Sequence, residues 1–285
     1  MMMQNILTCD MEDWYHTTLV NAKFEEWDLY PQRILDSTLR VLEILDKTKT
    51  KITFFALGWV AEKNPELIKT ISDAGHEIAS HGYRHRLITH LSPDEFNKDL
   101  KKSISVLSSA CGKKIKGFRA PSWSIDSEKK WVFEFLSQNQ ILYDSSLFPF
   151  KTFLYGNNSH PRFMYEINVN SKIKLLELPP SVGEIYSKRI PFSGGFYLRV
   201  LPYWLIKKFI NSYNRHCQPA IIYFHPWELD IDLPHVDLNF RDRFIQYYNI
   251  ATMEKKLKLL LRDYQFVPIS QFLRENIFEG KRSEK

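Results

Sequence analysis

Five short clusters carry the residues able to do chemistry: Asp10-Met11-Glu12-Asp13, Ser80-His81-Gly82-Tyr83-Arg84-His85, Gly117-Phe118-Arg119-Ala120-Pro121-Ser122-Trp123, Tyr143-Asp144 and Tyr223-Phe224-His225-Pro226-Trp227-Glu228. Three carboxylates in four residues repel one another unless a cation or a proton sits among them. In extended chain Asp10 and Glu12 point to one face and Asp13 to the other. His81 and His85, four apart, fit one side of a helical turn and one divalent ion. Two imidazoles, one carboxylate and open positions suit a catalytic zinc or a similar metal. Arg119 is placed to fix a nearby carboxylate as its ion. His225 has the properties of a proton donor, with Asp144 available to orient it. Each cluster also has a structural reading: helix-capping acids, exposed histidines, a structural salt bridge, a packed Trp227. His76 and His90 are expected at the surface.

The order of elements gives these clusters a common place. Apolar strand-like runs are expected at 5–9, 51–57, 77–80, 115–119, 141–144, 219–224 and 265–269. Helical spacing fills the intervals. One helix starts at Pro31 with Ile34, Leu35, Thr38, Val41, Leu42 and Leu45 on one face; another runs 65–74 and ends at Gly75. Ser92 and Glu95 form a capping box, and further helices cover 127–138, 203–214 and 241–263. Alternating strands and helices predict a parallel sheet with helices outside it. The polar clusters recur at strand C-terminal ends, and in a parallel α/β barrel those ends converge on one face. The predicted fold is α/β, a distorted (β/α)7-8 barrel, with the whole of 1–285 as one catalytic domain. An irregular insertion at about 150–203 carries β-like pieces at 165–169 and 174–178.

Composition narrows the function classes. The chain has 285 residues, 44% of them hydrophobic, 14% aromatic and 25% charged, which is ordinary globular composition. With only 10 glycines, no P-loop and no G-x-S-x-G elbow, phosphate cradles and serine-hydrolase chemistry are disfavoured. Cys9, Cys111 and Cys217 form no CxxC and no even framework, and are read as core thiols. The net charge of +6 is scattered and shows no nucleic-acid-binding pattern. No apolar run is long enough to span a membrane, and no secretory signal precedes Asp10; a cytoplasmic location is expected, with peripheral membrane contact left open. The terminal 280–285 run is expected to be a solvated tail.

Taken together, the clusters resemble the NodB-homology polysaccharide deacetylases, a carbohydrate esterase family that removes acetyl groups from glycans. The acidic strand end resembles the first family motif. His81-Gly82-Tyr83-Arg84-His85 resembles the metal motif, Arg119-Ala120-Pro121 the Arg-x-Pro motif, Tyr143-Asp144 the fourth, and Ile222-Tyr223-Phe224-His225 the fifth. Asp10-Met11-Glu12-Asp13-Trp14-Tyr15-His16, the run from Ser193 to Arg199 and His225-Pro226-Trp227-Glu228 are similar to the exosortase- and exopolysaccharide-associated branch. That branch lies nearer the peptidoglycan-deacetylase and allantoinase-like members than the secreted chitin deacetylases.

The resemblance implies a metal-dependent removal of N-acetyl groups from an exopolysaccharide-type glycan. His81 and His85 would hold the ion with Glu12 or Asp13; the family's adjacent aspartates are spread apart here, and both alignments stay open. The ion is expected to be Zn2+, with Co2+, Ni2+ or Mn2+ as alternatives. Asp10 is implied as base, Arg119 as its orienting partner, and His225 as acid with Asp144 behind it. Ser122, Trp123, Gly194, Gly195, Tyr197, Arg199 and Trp227 are implied as substrate contacts. The expected partner is an acetylated glycan, and the oligomeric state is unspecified. The alternatives are an allantoinase-like amidohydrolase and a glycan-binding protein without catalysis.

Overall fold

A computed structural model describes residues 3–125, 129–169 and 174–278. The terminal tail expected at 280–285 and the start of the helix expected at 127 lie outside the described residues. The strands are β1 (Gln4–Met11), β2 (Thr53–Ala56), β3 (Glu77–Ser80), β4 (Gly117–Phe118), β5 (Tyr143–Asp144), β6 (Tyr165–Asn168), β7 (Lys174–Glu177), β8 (Val182–Ile185), β9 (Lys188–Pro191), β10 (Ile221–Phe224) and β11 (Gln265–Val267). The helices are α1 (Ile34–Lys47), α2 (Gly58–Lys63), α3 (Pro65–Asp73), α4 (Pro93–Cys111), α5 (Lys130–Gln138), α6 (Gly195–Val200), α7 (Tyr203–Arg215), α8 (Phe240–Tyr247), α9 (Met253–Asp263) and α10 (Ile269–Leu273).

The fold is α/β. One sheet runs β10-β1-β2-β3-β4-β5-β7-β6, with β11 also paired to β1. All of its pairings are parallel except β6 with β7. β1 is central, and every residue from Asn5 to Met11 is buried. Such a strand, covered on both faces, reads as a nearly continuous apolar run.

The expected barrel is open. Among the described residues no strand pairing joins β6 to β10. Irregular chain fills the interval: Ser181 N–H donates to Ile221 O at 3.1 Å, Tyr223 N–H to Ser193 O at 2.8 Å, and Gly194 bridges Tyr223. Gly194 is required there, because a Cβ would lie 2.2 Å from Tyr223 O. The expected insertion therefore divides its work. Its first hairpin, β6–β7, extends the sheet through β7 and β5, while β8–β9 forms a separate two-stranded sheet.

Other differences have local causes. The helix expected from Pro31 begins at Ile34, because the Asp13 carboxylate caps it from a distance. The helix expected over 241–263 breaks into α8 and α9 at Asn249, whose φ is 60°. Cys217 is exposed, not a core thiol. His76 is buried and accepts the Ile52 N–H through Nδ1, whereas His90 is exposed. Among the described residues no helix is long and apolar enough to cross a membrane.

Candidate active site

The C-terminal ends of β1, β3, β4 and β10 bring Asp10, Glu12, His81, His85, Arg119 and His225 together. Asp10, Glu12, His81, His85 and His225 line one cavity of about 250 Å3. Its walls include Trp123, Phe153, Tyr155, Phe196, Tyr197 and Trp227. A larger cavity of about 550 Å3, among Lys113, Lys116 and Arg274 at the opposite strand ends, contains none of the clustered residues.

Glu12, His81 and His85 each offer a ligand atom, and these atoms lie within 4.8 Å of one another. His81 donates through Nδ1 to Arg119 O at 2.8 Å, which leaves Nε2 with its lone pair toward the cavity. Burial pushes His81 down to about 4, so the imidazole is neutral and fit to ligate. His85 Nε2 is 2.7 Å from Glu12 Oε2, yet that buried oxygen takes part in no hydrogen bond. Burial alone would raise the Glu12 carboxyl; His85, His225 and His81 together hold it well below the ordinary range. A buried carboxylate oxygen beside two imidazoles is a donor set that fits a divalent cation.

The histidine loop is irregular, not the helical turn its spacing suggested. Gly82 has φ +77° and His85 φ 51°. Backbone contacts hold it: the Gly58 N–H donates to Gly82 O at 2.9 Å, the Trp59 N–H to Tyr83 O at 3.1 Å, and the Tyr83 N–H to Asp99 Oδ2 at 2.7 Å. Gly58 cannot carry a Cβ without meeting the Tyr83 ring at 2.6 Å.

Asp13 is engaged elsewhere. Its Oδ1 accepts from the Trp14 N–H at 2.9 Å, and its Oδ2 from the N–H groups of Arg33 and Ile34 at 2.7 and 3.0 Å. A helix N-terminus with free N–H groups is a natural seat for a carboxylate, and Asp13 is consumed there. Glu12 is the carboxylate that faces the histidines.

Arg119 donates through Nη1 to Asp10 Oδ1 at 2.6 Å and to Thr8 Oγ1 at 2.9 Å, and through Nη2 to Ser145 Oγ at 2.8 Å. It is fully buried, and Asp10 is 1% exposed. Beyond it, Ser122 and Trp123 both take left-handed conformations, with φ of 49° and 46°. Non-glycine residues there carry local strain, which concentrates at functional turns. Ser122 Oγ is tied to Thr18 Oγ1 at 2.6 Å.

His225 donates through Nδ1 to Glu228 Oε2 at 2.9 Å, and its backbone N–H reaches the same oxygen at 3.0 Å. The ring therefore presents Nε2, 3.4 Å from Glu12 Oε1. Burial would lower the imidazolium, but the Glu228 carboxylate outweighs it and pushes His225 up to about 9. Trp227 stacks on the ring at 5.3 Å. Asp144, expected behind His225, is not there. It accepts from Ser146 Oγ at 2.6 Å and is the register partner of Glu177. Glu228 is the orienting carboxylate that sequence reasoning missed; its signal is the three-residue spacing from His225, a capping-box spacing.

Arg199 also has structural partners. It is 1% exposed, donates through Nε to Glu228 Oε1 at 2.7 Å, and spends Nη1 and Nη2 on Tyr248 O and Ile245 O. Each Nη keeps a second N–H beyond those bonds. Of the expected loop residues, Gly195, Tyr197 and Arg199 line the cavity, while Gly194 is absent from its lining and packs on Tyr223.

Residues 27–140 match the polysaccharide deacetylase family, and residues 145–274 match a domain of unknown function (DUF3473). The second match fits the exopolysaccharide-associated branch. A peptidoglycan deacetylase-like protein, FGM2, of Gibberella zeae is 40% identical over 110 residues, covering 38% of this chain and 32% of that protein. A peptidoglycan deacetylase of Helicobacter pylori is 27% identical over 181 residues, covering 61% and 58%. This chain thus spans about a third of the first relative's length and somewhat over half of the second's. The solved peptidoglycan deacetylase PdaC of Bacillus subtilis shares the fold at a TM-score of 0.54 and 17% identity, over 99% of this chain and 95% of that one.

Proposed function

We propose, from the match of residues 27–140 to the polysaccharide deacetylase family and from the site's geometry, that this chain hydrolyses the acetamide of an N-acetylated, exopolysaccharide-type glycan to acetate and a free amine. One observation carries this reading: a carboxylate held by a buried arginine and an imidazole held by a buried carboxylate share one cavity with Glu12, His81 and His85. A binding protein needs no such matched base and acid.

Glu12, His81 and His85 would hold the cation, and Zn2+ suits two imidazoles and one carboxylate, with Co2+, Ni2+ or Mn2+ as alternatives. When bound, such an ion polarises a carbonyl and makes water a competent nucleophile near neutral pH. Asp10 takes the proton from the attacking water, and Arg119 fixes the orientation of its carboxylate. The backbone N–H in the Ser122 turn donates to the developing oxyanion. His225 gives its proton from Nε2 to the departing nitrogen, while Glu228 stabilises the imidazolium through Nδ1. Trp123, Tyr155, Tyr197 and Trp227 offer aromatic faces to the sugar and keep bulk water from the reacting group.

Acetate release from N-acetylated oligosaccharides, beside a panel of non-sugar amides and ureides, tests the reaction and its substrate class. The expected result is activity on the sugars that is lost by about 10³-fold or more in His81→Ala/His85→Ala, together with the bound metal, because metal polarisation supplies several kcal/mol. Full activity in that double variant would sink the assignment of the cation site. Faster turnover of the ureides than of the sugars would move the substrate to the allantoinase-like class.

A further inference from the structure

Two carboxyl groups behind Arg119 take no part in these proton transfers. Asp144 ends β5, Glu177 ends the parallel neighbour β7, and the two are register partners. Both are fully buried. One oxygen of each is satisfied: Asp144 Oδ1 accepts from Ser146 Oγ at 2.6 Å, and Glu177 Oε1 from the Leu147 N–H at 3.0 Å. The remaining oxygens, Asp144 Oδ2 and Glu177 Oε2, are buried and have no donor. Two ionised carboxylates side by side in a dry interior repel, and each orphaned oxygen keeps its full desolvation cost. A single proton removes both problems, since it makes one orphan a donor and the other its acceptor.

We propose that Asp144 and Glu177 share one proton, and that this pair is the positioning device that holds Arg119 and the turn at 120–122 against Asp10. The contacts run directly from the pair to the site. Ser146 Oγ donates to Asp144 and accepts the Ala120 N–H at 2.8 Å. Ser145 Oγ accepts from Arg119 Nη2 and donates at 2.6 Å to the carbonyl of Leu178, the residue after Glu177. Arg119 then reaches Asp10 through Nη1 at 2.6 Å. Among the described residues, the charged or titratable groups acting on the pair from neighbouring elements include Arg119 at the end of β4 and Tyr165 on β6. Burial raises both carboxyls, and Arg119 opposes the rise in both. With one proton shared, Arg119 faces two anionic charges, one on Asp10 and one on the pair. Loss of that proton would put three anions around one guanidinium and drive the ends of β5 and β7 apart.

The positioning role rests on the deacetylase reading of Asp10; the shared proton does not, so the experiment reads both. Infrared difference spectra between the wild type and Glu177→Gln report the proton without any substrate. The expected wild-type spectrum at pH 7 contains the C=O stretch of a protonated carboxyl, and that band is missing in Glu177→Gln, where an amide N–H replaces the proton. In turnover, Glu177→Gln is expected to keep kcat near wild type and to push the alkaline limb of kcat to higher pH, because its amide cannot ionise. Glu177→Ala is expected to lower kcat about 10- to 100-fold at nearly constant KM, as loss of an outer partner does. Absence of the band at pH 7 would overturn the shared proton. A Glu177→Gln variant as impaired as Glu177→Ala, or an Ala variant with wild-type kcat, would overturn the positioning role. If the Ala variant does not fold, the band and the Gln pH profile still decide. A band present in a protein inert toward every acetylated glycan would instead locate the failure in the deacetylase reading.

Discussion

Glu228 serves two masters from one carboxylate. Oε2 takes both the Nδ1–H and the backbone N–H of His225, and Oε1 takes Arg199 Nε. The imidazole is thereby fixed in its tautomer and its rotation, and its free nitrogen is left for the cavity. Replacing the carboxylate by an amide keeps the shape but removes the anion that stabilises the imidazolium. Glu228→Gln is therefore expected to lower kcat about 10- to 100-fold, the usual range for an orienting partner, with KM and metal content unchanged. Steady-state kinetics with metal analysis checks this; a matching loss of metal would mean that Glu228 acts on the cation site. Glu228 stood in plain view in the sequence beside His225. By sequence any strand-end carboxylate, Asp144 included, is an equal candidate for the partner, and only the backbone of the turn at 225–228 chooses between them. Arg199 illustrates the converse. It is expected only as a substrate contact, but the carboxylate that fixes it lies 29 residues away and two of its acceptors are backbone carbonyls, which no side-chain pattern records.

At the level of elements, the legible parts were those with local causes. β1, β3 and β10 carry apolar runs that end in their functional residues, and α4 has both halves of its capping box, Ser92 and Glu95, in the sequence. The missed parts have tertiary causes. α2 is six residues long and is placed by its contacts with the histidine loop. The strand β7 joins the sheet only because β5 offers an edge. The role of Asp13 belongs here too, since its partner N–H groups at Arg33 and Ile34 are some twenty residues on. Spacing alone left Glu12 and Asp13 equivalent as ligands; the capping of α1 separates them. Asp13→Ala removes the acceptor for three N–H groups and is expected to cost about 1–2 kcal/mol of stability, the upper range for a lost cap. Chemical denaturation measures that cost. Metal stoichiometry of the folded fraction should stay at the wild-type value, and its loss would return Asp13 to the ligand set.

Across the whole molecule, the two regions matched to known families meet in one site. Neighbouring strands in the first region supply His81, His85 and Arg119, and the second supplies His225, Glu228 and the walls at Gly195, Tyr197 and Trp227. β1, which carries Asp10 and leads into Glu12, lies before both regions and pairs with β2, β10 and β11. Neither region can complete its share of the sheet without that strand, so the two are expected to unfold together. Denaturant titrations followed by tryptophan fluorescence and by far-UV circular dichroism should give one coincident transition. Arg199→Met sharpens the test. It leaves Glu228 as a buried carboxylate without its guanidinium, a change that costs about 3–5 kcal/mol. The substitution lies in the second region, while β2, α4 and β4 lie in the first. If the chain is one cooperative unit, both probes shift to lower denaturant by the same amount. Separate midpoints, with only part of the signal displaced, would mean that the two regions fold as independent bodies around a shared strand.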